Sequence, residues 1–342
     1  MRKSFEIAGI TIAPGTQTVV DLPMPKQSNH SSMSMPLHVV HGRRNGPVLF
    51  ISAAIHGDEL NGIEVIRRVL THKSIARLSG TLIAIPVVNS YGLIQQSRYL
   101  PDRRDLNRSF PGSQKGSLAA RLANLFLEEI VSKCTHGIDL HTGAVHRSNL
   151  PQIRADLDDD ETRKLAESFG VPVLLNASLR DGSLRGACKE YGIPVLLYEA
   201  GEALRYDESS IRAGVTGVMN VMRCLEMLPA SRRKGRRAYE PYIARKSVWV
   251  RATESGMMRM IVSQGAHVDK GELLGYIDDP YSGSQHAVNA THEGVVIGRL
   301  ELPMVHEGDA VVHIACFKDS VSDVADEVES FQTDYIDELF ED

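Results

Sequence analysis

Unbroken apolar stretches set between segments of helical period constrain this chain more than any other feature. Residues 47–54 (PVLFISAA) are apolar apart from one serine, and Ile63, Ile66, Val69 and Leu70 then recur at helical spacing. Residues 81–88 and 193–198 (IPVLLY) repeat the buried-strand pattern. Helices are predicted over 118–131, 159–169 and 207–228, and shorter strands over 136–140 and 171–175. A strand that is apolar on both faces needs cover on both. The alternation therefore predicts an α/β fold, a mostly parallel or mixed sheet sandwiched by helices. Residues 1–45 mix short β-like pieces with a polar Ser/Met/Pro stretch and are read as an N-terminal edge hairpin of the same domain, which spans 1–230.

The texture changes past the basic run from Arg232 to Arg237. Short β-like segments over 247–252, 256–261, 272–277, 294–299 and 310–314 predict a separate, smaller all-β module over 243–317. Within it, 256–274 and 294–312 look like halves of a weak internal repeat. The basic run carries no interleaved aromatics, so it is assigned to a solvated linker, 231–242, and not to a nucleic-acid site. The net charge of −5 is a local effect, because residues 319–342 hold ten acids and no Lys or Arg. That end, taken as 318–342, is expected to be an acidic tail or a short packed helix, since it also contains Phe331, Tyr335, Ile336, Leu339 and Phe340.

At 342 residues and 42% hydrophobic content, the chain can bury a core without covalent staples. Cys134, Cys188, Cys224 and Cys316 are scattered with no CxxC pair, which argues against a disulfide framework and against a cysteine zinc site. The N-terminus lacks the continuous apolar region of a signal peptide, and no run of 18 apolar residues occurs, so a cytoplasmic protein with no membrane partner is expected.

The chemistry-bearing residues cluster at strand ends, where ligands bind in open α/β sheets. His56 and Glu59 are three apart in a Gly-containing turn after the first buried strand, and His141 follows the short strand at 136–140. Together they would make a His₂Glu site with one position left for water, the catalytic zinc arrangement. His-x-x-Glu spacing arises by chance in a chain with thirteen histidines. Its place at a strand end is what raises it, above rivals such as His38, His41, His136 and His146. Asp58 and Asp139 lie close enough to ligate, with Asp139 better suited to orienting an imidazole. The loop over 97–112 carries Arg98, Arg103, Arg104 and Arg108, and arginine suits bidentate grip on a carboxylate. Glu199, directly after IPVLLY, is placed as a general base would be.

His56-Gly-Asp-Glu59 with Asn61-Gly62, Asn89, Arg98-Tyr99, Asp105-Leu-Asn107-Arg108, Asp139-Leu-His141-Thr-Gly143 and Glu199 occur in the order seen in the succinylglutamate desuccinylase and aspartoacylase family. The chain resembles that branch of the zinc carboxypeptidase fold over about residues 48–228. The resemblance implies one zinc ion per chain on His56, Glu59 and His141, with Glu199 as catalytic base and acid. It further implies that Arg98 polarises the scissile carbonyl, with Arg103 or Arg104 as alternatives, and that Asn107 and Arg108 hold the substrate carboxylate. The β-module resembles the biotinyl and lipoyl carrier fold, a barrel-sandwich, but the hairpin between its halves has no lysine to modify. The implied activity is zinc-dependent deacylation of a small N-acyl amino acid. A peptidase of the same fold and a non-catalytic binding protein are the alternatives, and homo-oligomerisation is left open.

Overall fold

The computed structural model describes residues 2–230, 239–318 and 320–337. Its centre is four parallel strands, in the order Val195–Glu202, His136–Gly143, Arg44–Ala53 and Ser79–Ile85. These are buried on both faces, as their apolar sequences require. Leu49, Ile51 and Ala53 enter one core with Val65, Ile66 and Val69 of helix Asn61–Thr71. Phe50, between them, enters the opposite core and meets Phe126 of helix Leu118–Glu129 edge to face at 5.9 Å. Helices Asp160–Phe169 and Glu208–Cys224 complete the first layer. Each fully buried large apolar side chain contributes about 1.5–3 kcal/mol, so both layers are held mainly by this periodicity.

The flanks are antiparallel, so of the two expected arrangements, mostly parallel or mixed, the sheet is the mixed one. Thr16–Met24 and Met33–His41 form a hairpin that pairs antiparallel with Ser79–Ile85. Their connection is too short for the crossover that parallel pairing needs. On the other side, Arg147–Ala155 runs antiparallel to Val195–Glu202.

The C-terminal strands are antiparallel too, but they are continuous with the main sheet. Gly294–Leu300 pairs directly with Arg147–Ala155, and the sheet runs on through Ala310–Cys316 to Lys246–Arg251. A second sheet of four strands shares a core with them that includes Val250, Met258, Leu274, Ile277, Val296 and Ile314. The two halves of the sequence repeat pair reciprocally, Gly256 with Val305 and Val268 with Gly294. Helix Val321–Asp337 seals the junction, with Val324 and Val328 against Leu150 and Val295, and with Phe331 and Tyr335 in the main core beside Tyr239. The basic run over 232–237 lies outside the described residues, as do Leu339 and Phe340. Among the described residues no helix is long and apolar enough to cross a membrane.

Candidate metal centre

Strand Arg44–Ala53 ends at a left-handed residue, Ala54 (φ 50°), which turns the chain toward His56. The turn closes with Glu59 N donating to His56 O at 3.1 Å. Gly57 is required within it, because a Cβ there would stand 2.0 Å from the Gly92 carbonyl carbon. Asn61 ties the turn to strand Val195–Glu202, two strands away, and to the helix beyond: its Nδ2 donates to Ala200 O and its Oδ1 accepts from Asp207 N.

His141, near the carboxyl end of strand His136–Gly143, completes the cluster. The Nδ1 atoms of His56 and His141 each stand 2.7 Å from one oxygen of Glu59, and Thr142 N donates to that carboxylate at 3.1 Å. All three side chains are buried, with candidate ligand atoms within 4.8 Å of one another. The outward ring nitrogens also meet carboxylates, His141 Nε2 at 2.8 Å from Asp139 and His56 Nε2 at 3.2 Å from Asp105. Asp139 is fixed in turn by Ser52 Oγ, which donates to it at 2.8 Å.

Burial alone would raise the Glu59 carboxyl, but the charges and hydrogen bonds of His56 and His141 reverse the effect and hold it well below the usual carboxylate range. Burial likewise opposes charge on the imidazoles, yet the facing carboxylates raise both. Each ring thus has an acceptor at both nitrogens, an arrangement that calls for two buried protons or for a cation of equal charge. A divalent ion fits this donor set: Nε2–H donates outward to Asp105 or Asp139 and leaves the Nδ1 lone pairs beside Glu59. Nitrogen and oxygen donors of this kind take zinc, and also cobalt or manganese.

A cavity of about 150 Å³ opens beside the cluster, lined by Arg98, Asn107, Arg108 and Glu199 among others. Arg98 spans two carboxylates, with Nη1 3.2 Å from Glu59 and Nη2 2.9 Å from Asp105. Arg103 and Arg104 are exposed and are not among the lining residues. Asp105 caps the short turn Leu106–Arg108 by accepting from Asn107 N at 2.8 Å. Asn107 Oδ1 accepts from Leu184 N at 2.9 Å, and Arg108 donates to Asn107 O. Glu199 is in register with His141 on the adjacent strand, and both line the cavity with His56, Glu59, Arg98, Asn107 and Arg108. Of the rival histidines, His41 bonds Thr81 and Lys3, and His136 bonds Thr135 and Glu161.

Sequence reasoning missed Arg154, Arg180 and Arg185, which line the same cavity. Burial and the neighbouring Arg154 charge push Arg185 down to about 10, and burial together with Arg108 and Arg154 lowers Arg180. Arg154 Nε is buried without a hydrogen-bond partner. The one available signal was Arg154 itself, a lone charge in the apolar stretch from Leu150 to Ala155. Arg180 lies in the loop before helix Leu184–Glu190 and Arg185 within that helix, and neither has a local signature.

Fold and site together define a mixed-sheet α/β protein with a buried His–Glu–His centre beside an arginine-lined cavity. The chain belongs to the succinylglutamate desuccinylase/aspartoacylase family, whose catalytic-domain model matches residues 45–225. It is 30% identical over 152 residues to the N-alpha-acetyl-L-2,4-diaminobutyric acid deacetylase of Halomonas elongata, a match covering 43% of this chain and 44% of that protein. Its fold is similar to that of a succinylglutamate desuccinylase/aspartoacylase from Rhodobacter sphaeroides (TM-score 0.79, 23% identity, 89% of this chain and 95% of the other). It is also similar to the product-bound ectoine utilization protein EutE (DoeB) from Ruegeria pomeroyi (TM-score 0.77, 24% identity, 87% and 94%).

Proposed function

We propose that this protein is a cytoplasmic zinc-dependent amidohydrolase that deacylates a small N-acyl amino acid or a related carboxylate. The observation that carries the reading is the convergence of His56, Glu59 and His141 with Glu199 on one cavity. A zinc ion, when bound there, supplies Lewis acidity that activates a carbonyl and brings water's pKa to roughly 7. The Glu199 carboxylate takes a proton from the attacking water as its oxygen adds to the amide carbon, then returns that proton to the leaving nitrogen. Arg98 donates N–H to the carbonyl oxygen as negative charge develops there. Asn107 and Arg108 hold the substrate carboxylate, and the positive wall of Arg154, Arg180 and Arg185 favours an anionic ligand.

The size of the cavity favours a small molecule over a peptide, since it is well below the roughly 300–1,000 Å³ of clefts for drug-sized ligands. The name of the Halomonas relative makes N-acetylated diamino acids one substrate class to try, beside N-acetyl and N-succinyl amino acids. The test is metal content together with amine release from such a panel, in wild type and Glu199→Gln. Release by wild type alone, with about one zinc per chain in both, supports the reading. A metal-free protein with all three ligands intact sinks it.

A further inference from the structure

The C-terminal β-module pairs with strand Arg147–Ala155, whose residues Asn149 and Gln152 face Glu199's strand on the other side. Asn149 is buried in strand Arg147–Ala155, opposite Gly201 on one neighbouring strand and Gly298 of the module on the other. Its Nδ2 donates to Glu199 Oε2 at 2.5 Å. Arg154 Nε stands off the other oxygen at 3.8 Å, so among the described residues Asn149 supplies the hydrogen bond that orients this carboxylate.

The space for that amide exists because residue 298 is glycine. A Cβ there would lie 2.8 Å from Asn149 Oδ1, with Ser148 O at 3.3 Å and His313 Cβ at 3.4 Å. The first of these is the end of a side chain and yields most easily, so an added methyl group would turn the Asn149 amide aside before it moved the strand. The module is held to the strand beside this point by the Arg147 guanidinium, which lies 5.1 Å over the indole of Trp249, itself stacked on His313.

We propose that Asn149 is a positioning residue for Glu199, kept in place by Gly298, so that docking of the β-module sets the geometry of the proton-carrying carboxylate. The proposal rests on the reading of Glu199 as that carboxylate. A misplacement of about 1 Å at a reacting group can lower turnover about a hundredfold, so one hydrogen bond of this kind has a measurable effect.

The test combines crystal structures with kinetics for Asn149→Ala, Gly298→Ala and the double variant, each zinc-loaded, on the N-acyl amino acid that the wild type hydrolyses fastest. Asn149→Leu, which keeps the approximate size but loses the donor, guards against a loss caused by a cavity, and melting temperatures of all variants guard against misfolding. The Asn149–Glu199 bond should be absent in every variant and the carboxylate displaced by about 1 Å. Turnover should fall on the order of 10- to 100-fold with KM and zinc content unchanged. The double variant should be no slower than the slower single one, because Gly298 acts through Asn149. An unmoved Glu199 with full turnover in Asn149→Ala, or losses that multiply in the double variant, would overturn the proposal. Glu199→Gln separates the two ideas: if it is inactive while Asn149→Ala is unaffected, only the positioning role fails, and if it is active, the reading of Glu199 fails with it.

Discussion

Glu199 stands level with His141 on the adjoining parallel strand, the two residues being direct register partners. Residues in register on neighbouring strands share a face of the sheet. A candidate metal ligand and a candidate proton carrier therefore emerge side by side at the carboxyl edge without any loop having to bring them together. This relationship puts the tolerance of the site in the sheet, and several measurable consequences come from its surroundings.

Asp139 holds His141 Nε2 at 2.8 Å and is itself fully buried. Replacing the carboxylate by a neutral amide in Asp139→Asn weakens the hold on the ring tautomer, so zinc affinity should fall about 10- to 100-fold. Competition with a chromogenic chelator measures it, and an unchanged affinity would mean that the ring is oriented by other groups.

Arg98 reaches Glu59 and Asp105 at once through a planar fork. An ammonium cannot span both, so Arg98→Lys should lose about 10²- to 10³-fold in kcat with a smaller change in KM, as expected when a donor to developing charge is misplaced. Steady-state kinetics decides the point, and a pure KM effect would assign Arg98 to substrate binding instead.

Gly57 packs against the backbone of Gly92. Gly57→Ala forces two backbone segments apart beside the ligand turn, and overpacking of this kind costs about 1–3 kcal/mol. Calorimetry should show a lower melting temperature together with weaker zinc retention, because the same turn carries His56 and Glu59.

Glu64 accepts hydrogen bonds from Arg67 and Arg68, and Arg68 also pairs with Glu208. The Arg67 bonds foremost, with those of Arg68, outweigh burial and hold the Glu64 carboxyl down to about 2. Its contribution to stability is complete above the unfolded glutamate value of about 4.3 and fades as pH falls from there toward about 2. Thermal melts between pH 5 and 2.5 should therefore converge for wild type and Glu64→Gln as the pH is lowered, with the gap widest at pH 5.

The candidate ligands and Glu199 were legible because they sit on local features: a strand end followed by a Gly-containing turn for His56 and Glu59, and strand ends for His141 and Glu199. Arg154, Arg180, Arg185 and Asn149 were not legible. The arrival of the arginines at the cavity and of Asn149 at Glu199 depends on which elements become neighbours and in what register, and nothing within a few residues of any of them encodes that. The loop from Arg98 to Arg108 lies between these cases. Its arginines were visible, but only the folded loop around the turn capped by Asp105 brings Arg98 and Arg108 to the cavity wall and leaves Arg103 and Arg104 away from it.

The sequence by itself determined the alternation of buried strands and helices, the all-β character of residues 243–317 and the residues of the candidate metal centre, since each follows from periodicity or turn chemistry over a few neighbouring positions. Only the tertiary structure decided that the sheet is mixed, that the C-terminal strands extend it through Gly298 and Asn149, and that three further arginines face the cavity. Those outcomes depend on strand order and register between segments far apart along the chain, where the deciding free energy lies in non-local packing and pairing that no local pattern records.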